Sequence, residues 1–162
     1  MHRRSDVIGV VKYLSDHNEE SVKKVVCYLL DGEQAWADTW TEIGSSLDKN
    51  ISVDVHFQPL DVTKPEIWST QKKFLKANMF TLIYFVSEIY SMSNDKVKVF
   101  WKTLFDQAIA SATFIYVDNG HSDFNNYFDT QWKARKNIHC IYERTNKRLF
   151  PHYAEQKSEF GA

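Results

Sequence analysis

The stretch from Met79 to Asn119 constrains the fold most, because it holds two apolar runs of strand length separated by one segment of helical periodicity. The first run is Met79-Phe80-Thr81-Leu82-Ile83-Tyr84-Phe85-Val86 and the second is Ala112-Thr113-Phe114-Ile115-Tyr116-Val117. Both are rich in β-branched and aromatic residues and carry no charge, the pattern of strands buried on both faces of a parallel sheet. Between them Val97, Phe100, Trp101, Leu104, Phe105 and Ala108 recur at helical spacing, so one side of a helix over Asp95–Ala110 must lie on an apolar surface. The three segments make a βαβ unit. Its strands run directly into Ser87-Glu88 and Asp118-Asn119, and in open α/β sheets ligands bind beyond the carboxyl ends of the strands.

The remaining chain continues the alternation. Val7, Val10, Val11 and Leu14 follow Ser5-Asp6 at i, i+3, i+4 and i+7, which predicts an opening helix with a cap at its head. Lys24–Leu30 reads as a buried strand closing on Asp31-Gly32, and Glu33–Gly44, with Trp36, Trp40 and Ile43, as an amphipathic helix. An alternating strand over Ile51–Leu60 ends at Asp61. Thr63-Lys64-Pro65-Glu66 then has the form of a capping box with proline in the first turn, heading a helix that carries Ile67, Trp68, Phe74 and Leu75. Beyond Asn119-Gly120 the pattern predicts a helix over Ser122–Lys136, a last clear strand at Ile138-His139-Cys140-Ile141-Tyr142, and at most one ragged strand after Glu143. Such alternation predicts a single α/β domain over residues 1–162, a three-layer, doubly wound, mostly parallel sheet with helices on both faces.

A chain of 162 residues supports one sizeable core. Its net charge of −1 lacks the basic footprint usual for a nucleic-acid binder. Lys133, Arg135, Lys136, Arg144, Lys147 and Arg148 cluster late in the chain, either as solvated charges or as a local phosphate-binding patch. The uncharged apolar runs fall well short of the roughly 20 residues a membrane span needs, and the amino terminus has no signal-peptide pattern. A soluble protein of the cytoplasm, or of the nucleus, is expected, with no membrane partner. Cys27 and Cys140 lie in strand-like runs and are expected to be buried, reduced thiols. The six histidines show no metal-ligand spacing, so no metal is expected, and no general base, Ser-His-Asp set, P-loop or CxxC pattern stands out.

Taken together, these segments resemble the class I S-adenosylmethionine-dependent methyltransferases, from the first helix to the last clear strand. An acidic residue ends that family's second strand and binds the ribose hydroxyls; Asp31, with Gly32 after it, matches that place. Asp61-Val62 looks like the acidic position after the third strand, near the adenine. Tyr84-Phe85-Val86-Ser87-Glu88-Ile89-Tyr90 looks like the fourth strand and the substrate-side turn, with Ala112–Asp118 as the fifth strand. The resemblance implies S-adenosylmethionine as cofactor, held by Asp31, Gly32, Asp61 and Val62. It implies an RNA or small-molecule methyl acceptor near Glu88, Tyr90, Asp118 and Asn119. Read from the residues alone, Asp31, Asp61 and Asp118 serve equally as helix caps or turn formers. Tyr84, Tyr90 and Tyr116 are candidates to line a pocket or simply the core.

One departure is large. The family's first strand ends in a glycine-rich turn that approaches the methionine part of the cofactor, and here Met1-His2-Arg3-Arg4 stands in its place. The five glycines are too scattered for a G-x-G turn, and only glycine permits so close a backbone approach with positive φ. In the family that strand lies at the sheet centre, so its loss leaves two inner edges unpaired. The expectation is a Rossmann-like methyltransferase domain, truncated at its amino terminus or degenerate, inactive alone, and binding the cofactor only if the site is completed. Two alternatives stand beside it: a non-enzymatic module whose open sheet edges recruit a partner strand or a second copy, and a flavodoxin-like or receiver-like binding domain.

Overall fold

A computed structural model describes residues 4–17, 21–35 and 51–144. The chain divides into two compact units, Met1–Asn119 and Gly120–Ala162. The first contains α1 (Arg4–His17), β1 (Lys24–Asp31), β2 (Ser52–Pro59), α2 (Pro65–Trp68), β3 (Met79–Ile83), α3 (Phe85–Ile89), α4 (Asp95–Gln107) and β4 (Thr113–Val117). The second contains α5 (Ser122–Trp132). Most of the helix expected over Glu33–Gly44, from Trp36 onward, and the tail from Thr145 lie outside the described residues.

The architecture is mixed α/β with small parallel sheets. β1 pairs with β2 in parallel from Lys24↔Ser52 to Asp31↔Pro59, and β3 pairs with β4 in parallel from Met79↔Thr113 to Ile83↔Val117. Among the described residues these are two separate two-stranded sheets, so each strand is hydrogen-bonded along one edge only.

α4 organises the second pair. Asn94 caps it, its side-chain oxygen accepting from the amides of Lys96 at 2.9 Å and Val97 at 3.2 Å, which satisfies two of the amides a helix start leaves unpaired. Val97, Phe100, Trp101, Leu104 and Phe105 are all buried, as their spacing requires. Their rings form a continuous column. Trp68 meets the edge of Phe100 at 5.8 Å, Phe85 touches both Phe100 and Trp101, and Trp101 stacks on Phe105 at 5.6 Å. Phe105 then contacts Phe114 of β4, which stacks on Phe80 of β3 at 4.9 Å.

Several expectations need correction. Strand β3 ends at Ile83 rather than Val86, because Tyr84 turns into the left-handed region at φ 53° and ψ 17°. Tyr84 donates the last ladder bond, to the Val117 carbonyl at 2.8 Å. The next five residues then form α3, whose Val86 and Ile89 point inward at one-turn spacing. Nor are the strands buried on both faces: Phe80 and Leu82 are buried while Met79 and Thr81 are exposed, and β1 and β4 have no fully buried residue.

The helix expected after Asp61 is interrupted. The buried Gln58 amide donates to the Gln71 carbonyl at 2.7 Å, which draws that group out of a helical ladder, and Phe74 and Leu75 are buried from a separate 3₁₀ turn at Lys73–Lys76. The capping box does not form either, since Lys64 is the cap residue and makes no side-chain cap bond.

In the second unit α5 stops at Trp132, and Ile138–Tyr142 is not a strand. An isolated apolar run gains nothing from extension without a partner edge, and Ile141 is 89% exposed. Cys140 is exposed with it, while Cys27 is half-buried and its thiol pKa is raised by burial.

The ring column yields a stability prediction. Trp101→Ala should cost about 3–5 kcal/mol in urea unfolding, whereas Val99→Ala, at a side chain 44% exposed on the same helix, should stay within about 0.5 kcal/mol of the parent.

Candidate functional site

An open cavity of about 280 Å³ lies at the carboxyl ends of the strands in the first unit. From the first pair it is bordered by Leu30, Asp31 and Gly32 at the end of β1, and by Leu60, Asp61 and Val62 just past β2. From the second pair come Thr81 and Leu82 of β3, and Phe85, Glu88 and Ile89 of α3. Met92 and Phe100 complete the lining. The two parallel pairs therefore share one cavity, although no ladder joins them among the described residues. Its volume is near the lower bound of roughly 300–1,000 Å³ for small-molecule pockets.

Parallel pairing places the carboxylates. The β1–β2 ladder continues one step past the register, with the Leu60 amide donating to the Asp31 carbonyl at 2.8 Å. That bond sets the Asp31-Gly32 turn against Leu60-Asp61; a Cβ on Gly32 would lie 3.9 Å from the Asp61 side chain. Asp31 accepts from the Glu33 amide at 3.0 Å, so it shapes the turn as well as bordering the cavity.

Asp61 is held by three contacts. One of its oxygens accepts from the Thr63 amide at 2.9 Å and the Thr63 hydroxyl at 2.6 Å, and the other meets the Lys64 ammonium at 2.9 Å. These contacts, the Thr63 hydroxyl foremost, hold the Asp61 carboxyl below the ordinary carboxylate range. Thr63 is thus spent on Asp61 and not on the following helix.

Asp118 plays a tertiary capping role. Its Oδ2 accepts from the Ser87 amide at 2.9 Å, which serves the start of α3 in place of Tyr84, a residue that makes no side-chain cap bond. The Ser87 hydroxyl closes the turn by donating to the Tyr84 carbonyl at 3.0 Å. Left-handed backbone at a bulky residue costs about 1–2 kcal/mol, and these bonds across β3 and β4 hold it.

Of the residues singled out in the sequence, Asp31, Gly32, Asp61, Val62 and Glu88 converge on the cavity, and Tyr90, Asp118 and Asn119 do not border it. Tyr84 and Tyr116 do not line it either. Phe85 and Phe100 were the wall residues least visible beforehand. Phe85 faces the cavity only because of the turn at Tyr84, and Phe100 reads from its spacing as core. Among the described residues no group of three or more histidine, cysteine or acidic side chains could hold a metal ion.

No protein-family model, curated protein or solved structure matches the chain. No helix among the described residues is long and apolar enough to cross a membrane.

Two outcomes follow from the geometry. A depressed folded-state pKa stabilises the protein above the unfolded value, near 3.9, and that contribution is lost as pH falls through the folded value. Thr63→Ala should accordingly move the Asp61 carboxyl titration upward by NMR and shift the onset of acid unfolding to higher pH. Asp118→Ala should speed amide exchange at Ser87 at least tenfold while leaving the amides of α4 protected.

Proposed function

We propose that the chain is a Rossmann-like methyltransferase-type domain whose cavity takes the nucleoside part of S-adenosylmethionine or a related adenosine compound. The observation that carries this reading is the convergence of Asp31-Gly32 and Asp61-Val62 on one cavity at the carboxyl ends of parallel strands. A carboxylate at the end of the strand accepts from paired ribose hydroxyls. Leu30, Leu60 and Val62 offer apolar contact to a flat base, and Phe85 and Phe100 also line the cavity.

The fit is to part of the cofactor. Gly32 is the only glycine bordering the cavity among the described residues, so the methionyl part finds no glycine-rich backbone to approach. The cavity volume agrees with a nucleoside better than with the whole cofactor. S-adenosylmethionine, when bound, supplies a sulfonium methyl group; what this chain supplies is ribose recognition at Asp31 and a second carboxylate at Glu88.

The magnitudes set the affinity. Hydrogen bonds to a charged acceptor contribute about 1.5–3 kcal/mol each, against an association cost of about 4 kcal/mol or more. Two such bonds, about 5 kcal/mol together, and one base in apolar contact, about 3 kcal/mol, less that cost leave binding by the chain alone near the millimolar range, about −4 kcal/mol.

The test is a titration of isotope-labelled protein with S-adenosylhomocysteine, followed by NMR. Saturable shifts at the Gly32 and Val62 amides in the millimolar range are expected, and Asp31→Ala should weaken them by about tenfold, or about 1.4 kcal/mol. Absence of saturable shifts there overturns the reading. Micromolar binding overturns the partial fit and shows a complete cofactor site.

A further inference from the structure

We propose that Ile138–Tyr142 is an interaction strand that adds to the open edge of β1 in a second copy of this chain. The segment is short, uncharged and rich in strand-favouring residues, yet it is hydrogen-bonded into no strand. Ile141 and Tyr142 are 89% and 75% exposed, the highest values among the large apolar side chains described. Adjacent bulky groups held so far into water are a surface that association can cover.

β1 supplies the complementary edge. It is hydrogen-bonded only to β2 among the described residues, and the cavity borders its Leu30–Gly32 end. A row of unpaired amides and carbonyls is a template for a further strand. The side chains of β1 are also short of cover: none is buried, and Val26 is 46% exposed.

Charge selects the direction. β1 is preceded by Lys23 and begins with Lys24, and it closes on Asp31 with Glu33 just beyond. Arg135 and Lys136 precede the proposed strand and Glu143 follows it. Antiparallel addition brings Lys136 to the acidic end and Glu143 toward Lys23, whereas parallel addition sets Lys136 toward the lysines and Glu143 toward Asp31; Lys24 itself already meets Asp54 of β2. A two-fold axis lets both copies donate and both accept, so the same contact forms twice. At a net charge of −1 the two copies repel each other little. The proposal does not rest on the nucleoside reading, because it is measured by self-association and not by ligand binding.

The test is sedimentation of the full chain over a concentration series, with amide exchange measured in parallel. A doubling of mass is expected as concentration rises, with protection of β1 amides growing in step. Replacing Ile141→Lys together with Tyr142→Lys should raise the dimer dissociation constant at least tenfold. Both side chains are exposed, so the circular dichroism spectrum should not change; Tyr13→Lys, at a site 62% exposed on α1, should leave the dimer intact. A parent protein that stays monomeric at high concentration overturns the proposal, as does a dimer that survives the double substitution. Protection of β1 that is independent of concentration, the sign of the segment folding onto its own chain, also overturns it.

Discussion

The first unit depends on the burial of one helix stripe. α4 carries Val97, Phe100, Trp101, Leu104 and Phe105 on a single side, and rings of that size are stable only when other large apolar groups close around them. Trp68, Phe85, Phe114 and Phe80 do so, and they come from α2, α3, β4 and β3. The short elements are therefore held by their rings more than by their backbone, since strands of five residues and helices of four or five have little stability of their own. Phe85 and Phe100 belong both to this column and to the cavity wall, so the core and the wall are continuous.

Where the β1–β2 pair borders the cavity, position comes from hydrogen bonds. The bond from Leu60 to Asp31 registers two acidic turns against each other, and Thr63 with Lys64 locks Asp61 into its turn. Asp31 and Asp61 thus differ in kind despite their parallel sequence contexts. Asp61 is tied into a local network that depresses its pKa. Asp31, at the strand end itself, borders the cavity, and its bond to Glu33 keeps its turn in shape.

Much of this was legible in the residues. The apolar spacing of α4 and the runs of β1, β2 and β4 placed those elements to within a few residues, and strand–helix alternation led to parallel pairing. Convergence of Asp31 and Asp61 followed from where strands end, whereas Glu88 reaches the cavity from α3. The turn at Tyr84 was hidden, because Tyr84-Phe85-Val86 continues an apolar run and its helical conformation is enforced from afar by Val117 and Asp118. The break after Trp68 was hidden for a like reason, since the Gln58 amide acts on Gln71 across the fold. Ile138–Tyr142 misled in the opposite sense: its composition favours a strand, but composition carries no information about whether an edge is there to receive it. Among the described residues the two strand pairs are not joined by a ladder into the single sheet that the alternation predicts.

The strictly parallel pairing has a bearing on how the chain is made. Lys24 meets Ser52 and Met79 meets Thr113, so in each pair the earlier strand leaves the ribosome roughly thirty residues before its mate, a delay of a few seconds at ordinary elongation rates. Throughout that interval Val25-Val26-Cys27-Tyr28-Leu29-Leu30 is a sticky nascent segment with nothing native to bind. A chaperone that covers an apolar segment of this kind during that delay would keep it from aggregating before β2 arrives.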